Sequence, residues 1–173
     1  MRGRILAMAG AAATFAAALA LFGLLDGSSA PAAPERSADT LVLEAQRALR
    51  QVRETEDPIF YRPAERALAE ARRLEPDSPA VALGVGELAM SKHRFRDGLR
   101  WGLRARRLAP DLVRPLGLIA DAQVELGRYD DAARTLQRMV ELKPSLPAYA
   151  RISYLRELHG DLPGAIEAMR LAV

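Results

Sequence analysis

The chain has no cysteine and no asparagine, only two lysines (Lys92 and Lys143), only two histidines, and few aromatic residues, 5% of 173. Without cysteine there is neither a disulfide frame nor a thiolate metal site, and no residue for a bacterial lipoprotein anchor. That absence leaves the compartment open, because many exported proteins lack disulfides. No stretch alternates apolar and polar residues over a useful length, so strands are not expected. Without strands there is no glycine-rich phosphate loop between strand and helix, and no carboxylate–histidine spacing of the zinc-protease kind occurs. His93 and His159 fall in separate turns, and the serines lie at helix starts or in a linker, apart from Ser91 and Ser153, which have no base arranged beside them. The expectation is therefore of a non-enzymatic chain, with no catalytic residue, no cofactor and no metal.

What is abundant is alanine, within a composition that is half apolar. Such a core is built from close-packed small side chains. The chain opens with Met1-Arg2-Gly3-Arg4, followed by an uncharged apolar run from Ile5 to Leu25. A helix of that length, rising about 1.5 Å per residue, can cross a hydrocarbon layer of roughly 30 Å. Small residues beyond it offer a cleavage point after Ala32. Residues 1–32 are thus expected to be a signal peptide or a retained transmembrane anchor, and residues 33–38 a flexible tether. Arg2 and Arg4 should stay in the cytoplasm, which places the remainder on the extracytoplasmic side, secreted or membrane-anchored.

From Asp39 a 3.6-residue apolar rhythm takes over. A first helix is predicted over about 40–53 (Leu41, Ala45, Ala48, Leu49, Val52) and a second over about 62–74 (Ala64, Leu68, Ala71), with a turn rich in Glu, Asp and Pro between them. Ser78-Pro79 reads as a cap followed by proline at the first helical position. Breaks recur at a fixed interval: Pro110 lies 34 residues after Pro76, and Pro144 34 after Pro110. Within each interval two amphipathic stretches flank a tight turn, as at Leu126-Gly127-Arg128.

Leu116, Ile119-Ala120, Gly127, Ala132, Leu136 and Pro144 fall where a tetratricopeptide (TPR) repeat places its bulky, small, turn, small, bulky and terminating residues. Ala82, Val85-Gly86, Ala105 and Pro110 repeat the pattern, as do Tyr149, Ile152-Ser153, Gly160, Ala165 and Met169, one residue early. The chain from about 39 to 173 therefore resembles the TPR family. The resemblance implies an all-α, right-handed α-solenoid of about four helix-turn-helix units (39–76, 77–110, 111–144, 145–173), preceded by one apolar N-terminal helix. It also implies a scaffold or adaptor that holds a peptide or protein segment in a concave groove lined by the first helix of each unit.

On those helices Glu87, Arg114, Asp121, Glu125, Arg151 and Tyr154 are the candidate partner contacts, a surface suited to a segment bearing basic residues. The chaperone-tail clamp of some TPR proteins needs Asn and Lys, which are absent here. A second candidate surface is basic: residues 92–107 hold one Lys and six Arg against a single acid. Arg96, Arg100, Arg104 and Arg107 share one helix face, suited to an anionic membrane surface. Nucleic acid is disfavoured, because aromatics are not interleaved with the basic residues. Gly98 and Gly102, inside that helix, mark either drift or a very close backbone contact. The last helix (Ala165, Ile166, Met169, Ala172, Val173) lacks the polar outer face of a capping repeat. It is expected to dock on another copy, giving a homo-oligomer, to dock on a partner, or to continue into a longer array.

Overall fold

A computed structural model describes residues 36–172. The expected leader at 1–32, its apolar helix, the first part of the tether and Val173 lie outside the described residues. Eight α-helices occur among the described residues: α1 (Ala38–Thr55), α2 (Tyr61–Leu74), α3 (Pro79–Ser91), α4 (Phe95–Leu108), α5 (Arg114–Glu125), α6 (Tyr129–Leu142), α7 (Leu146–Leu158) and α8 (Leu162–Arg170). No described residue is in a strand. No helix among them is long and apolar enough to cross a membrane.

The starts follow from capping. Ser37 ends the tether a residue early and accepts a hydrogen bond from the Thr40 backbone N–H at 3.2 Å, so α1 begins at Ala38, two residues before the predicted start. This satisfies one of the orphan donors of the first turn. Ser78 caps α3, with Pro79 at its first position. Leu41, Ala45, Ala48 and Leu49 are buried, as are Ala64, Leu68 and Ala71 on α2. Val52 is half-buried. Leu108, expected on the core face of α4, is 36% exposed.

Three mid-repeat turns share one geometry. At each, a residue in the left-handed region follows the first helix: His93 (φ 55°), Gly127 (φ 70°) and Gly160 (φ 75°). The next amide then reaches back to the helix, Arg94 to Ala89 O at 2.8 Å, Arg128 to Gln123 O at 2.8 Å and Asp161 to Arg156 O at 3.0 Å. That is the Schellman closure, for which glycine is the low-strain residue. The two histidines are thus not equivalent: His93 occupies the glycine position, whereas His159 precedes it. The first repeat closes differently. Glu56 takes the left-handed conformation (φ 58°), and a 3₁₀ turn at Pro58–Phe60, held by Asp57 Oδ1 accepting from the Ile59 amide at 2.9 Å, leads into α2.

Contacts run only between near neighbours, which is the signature of a solenoid. Each helix packs on the next, and the odd-numbered helices also pack successively, α1 on α3, α3 on α5 and α5 on α7. No even-numbered helix among the described residues touches the next even-numbered one. The odd helices therefore crowd together on the inside of the curve and the even ones fan out on its outside. Leu41, Leu68, Val81, Leu136 and Pro115 are the largest fully buried side chains, set among many alanines.

Close approach explains the glycines. A Cβ on Gly86 would lie 2.5 Å from Leu118 Cδ2 and 3.2 Å from Trp101 Cβ, and one on Gly102 would lie 2.9 Å from Ile119 Cγ1. A Cβ on Gly98 would meet Met90 Sδ at 2.6 Å. The helices α3, α4 and α5 therefore approach too closely for side chains at these sites, and drift is not the explanation.

Candidate binding groove

The odd helices present a continuous trough. At one end a cleft of about 390 Å³ is lined from α1 by Gln46, Leu49, Arg50 and Arg53, from α3 by Glu87, Met90 and Ser91, and from α5 by Arg114, Leu118 and Asp121. A second cleft of about 420 Å³ shares Glu87, Arg114, Leu118 and Asp121 and continues to Gly117, Met139, Pro147 and Arg151. A smaller one of about 110 Å³ reaches Val124, Glu125 and Tyr154. All six residues expected on the groove, Glu87, Arg114, Asp121, Glu125, Arg151 and Tyr154, line these clefts.

Their chemistry differs from a plain acidic surface, because the carboxylates are matched by arginines one repeat on. Arg114 Nη2 donates to Glu87 Oε1 at 2.9 Å. Arg151 grips Asp121 with two parallel bonds, Nε to Oδ1 and Nη2 to Oδ2, each 2.8 Å, and its Nη1 donates to Pro147 O at 2.9 Å. A bidentate pair fixes geometry as well as charge. Each pair bridges two odd helices. A third link joins α1's repeat to α3: the Tyr61 hydroxyl donates to Ser91 O at 2.5 Å. With Glu87 and Asp121 compensated, Arg50 and Arg53 at one end and Glu125 at the other make no ion pair among the described residues. Tyr154 is 52% exposed beside Glu125.

Sequence reasoning missed Gln46, Arg50, Arg53, Met90 and Leu118. The first three sit on α1, whose long mid-repeat turn breaks the register that would have placed them. A usable signal was present: Gln46, Arg50 and Arg53 are spaced four and three, opposite the Leu41/Ala45/Ala48 face.

The arginine stripe lies on α4, an outer helix. Arg100 pairs with Asp97. Arg104 donates to Pro76 O at 3.0 Å and to Asp77 at 2.8 Å, and its guanidinium lies 5.8 Å from the centre of the Trp101 ring, which Arg72 also approaches at 5.9 Å. Arg96 and Arg107 are exposed and make no ion pair among the described residues. Two of the four stripe residues thus have intramolecular partners. At the far end of the solenoid Leu162, Ile166 and Met169, spaced four and three on α8, are exposed at 58, 56 and 41%.

The histidines stand apart from the groove: His93 packs edge-on to Phe95 at 5.6 Å, and His159 edge-on to Tyr129 at 5.3 Å with its Nδ1 2.7 Å from Leu155 O. Among the described residues no group of three or more His, Asp or Glu is placed to hold a metal ion.

No protein-family model matches the chain, and no curated protein sequence does. Its fold, however, is that of solved TPR proteins. It is similar to a thermophilic TPR protein of Thermus thermophilus, with TM-score 0.72 and 15% identity over 80% of this chain and 74% of that one. It is similar to MamA, with TM-score 0.60 and 16% identity over 78% and 75%. It also resembles yeast Tom70, with TM-score 0.58 and 20% identity over 78% of this chain but 29% of that one. At these identities the likeness concerns the fold, a TPR-type α-solenoid.

Proposed function

We propose that the chain is a non-enzymatic scaffold or adaptor that holds a segment of a protein partner along its concave face. The observation that carries this reading is the trough formed by α1, α3, α5 and α7: it is continuous over the four repeats, polar-rimmed, floored by Leu118 and Met90, and braced by ion pairs that cross from one repeat to the next. A preformed, braced groove lowers the ordering cost of binding. Residues 1–32 display the solenoid on the extracytoplasmic side of the membrane, as the basic head and apolar run suggest. The exposed α8 row adds a second contact, to another copy or a partner.

A photo-crosslinking residue at Gln46 or Tyr154 in the living cell should capture a discrete partner, while one at Arg134 on the outer helix α6 should not. Capture from Arg134 alone would reject the groove. The other reading, an anionic lipid surface held by the α4 stripe, draws on Arg96 and Arg107, since Arg100 and Arg104 are engaged within the protein. Cleavage after Ala32 is checked by the mass of the mature protein, and sidedness by protease protection in spheroplasts.

A further inference from the structure

The groove is not electrically uniform, and its imbalance names a partner class. Three guanidinium groups, Arg50, Arg53 and Arg114, converge on the cleft between α1, α3 and α5. Only Arg114 has an internal counter-charge there, Glu87 at 2.9 Å. The other carboxylate on the cleft, Asp121, is satisfied by both nitrogens of Arg151 from the neighbouring repeat. Arg50 and Arg53 lie on one face of α1, where like charges three apart repel unless an anion answers them. They stand above an apolar floor, with Leu49 3% exposed and Leu118 close to it at 7%. Low-dielectric walls on one side of a charge strengthen its field toward a ligand.

We infer that this end of the groove receives an acidic segment, with carboxylates placed on Arg50 and Arg53 and an apolar side chain entering between Met90 and Leu118. This rests on the groove reading above and reverses the expectation of a basic ligand, since the acids that suggested one are already paired. The carboxylates are either acidic side chains or a chain terminus, and both present the same chemistry to a guanidinium.

The test uses the full chain in detergent and a fluorescein-labelled octapeptide of glutamates around one leucine, acetylated and amidated, with lysine and glutamine counterparts and a free-acid form. Fluorescence anisotropy should rank glutamate first, with binding weakened by salt. The double variant Arg50→Glu, Arg53→Glu should lose about tenfold or more in affinity, while Arg50→Lys, Arg53→Lys keeps most of it and both variants keep the wild-type helical circular dichroism. Preference for the free-acid form would identify a terminus as the source, and equal binding of the amidated form would identify side chains. Equal affinity of the wild type and the charge-reversed variant, or preference for the lysine peptide, overturns the inference. If crosslinking from Gln46 still captures a partner in that case, the groove reading survives without it.

Discussion

The joint between the second and third repeats and the joint between the third and fourth solve one packing problem in opposite ways. At the first joint the outer helix α4 is small: Gly102 and Ala105 face Leu118 and Ile119 on α5, and Gly98 crosses Gly86. At the second, 34 residues on, the same positions of α6 carry Leu136 and Met139, and the following helix supplies Ala148. Bulk moves from the inner helix to the outer one while the interface stays filled. Dense packing constrains the summed volume across a contact more than which side provides it. The second joint also tolerates a polar element, since Thr135 donates to Gln123 at 2.8 Å where the preceding repeat has Ala89.

That contrast fixes the order of mutational effects. The largest belongs to the bulky joint: Leu136→Ala should destabilise by about 2–5 kcal/mol, because Leu136 is fully buried and its neighbours cannot collapse onto the void. Urea unfolding would show it, and a cost below 1 kcal/mol would mean that the joint is plastic. Next come the tight sites. Gly86→Ala and Gly102→Ala should each cost about 1–3 kcal/mol by overpacking, less the roughly 0.8–1.0 kcal/mol that alanine gains over glycine in a helix. A rise in melting temperature at either site would break the close-approach account.

Two smaller effects sharpen it. His93→Gly should stabilise by about 1 kcal/mol, since a non-glycine residue in the left-handed region carries a strain of about 1–2 kcal/mol, offset in part by loss of the contact with Phe95. Gly98→Ala should be close to neutral by thermal melting. Its obstacle is the flexible Met90 side chain, which can move aside, in contrast to Trp101 Cβ beside Gly86.

Much of this fold was legible because its signals are local. The proline interval, the Ser78-Pro79 start and the alanine faces each require only a few neighbouring residues to read. The groove was partly legible for the same reason: once helices α3, α5 and α7 were placed, Glu87, Asp121 and Arg151 followed by register. Their pairing was not legible, because Arg114 meets Glu87 across 27 residues and Arg151 meets Asp121 across 30, and no local pattern announces such a partner. Nor could spacing distinguish a glycine that drifted from one that admits a neighbouring helix. On α1 the lengthened turn at Glu56–Phe60 removed the register altogether, so Arg50 and Arg53 surfaced only in three dimensions.

The central claim is that the inner face does the binding and the outer face holds the shape. Partner capture from cells should be compared for a groove set (Arg50→Glu, Arg53→Glu, Tyr154→Ala) and an outer set (Arg96→Glu, Arg107→Glu), with circular dichroism confirming that both remain folded. Loss of the captured partner with the groove set alone is the expected result. Loss with the outer set, and retention with the groove set, would contradict the account.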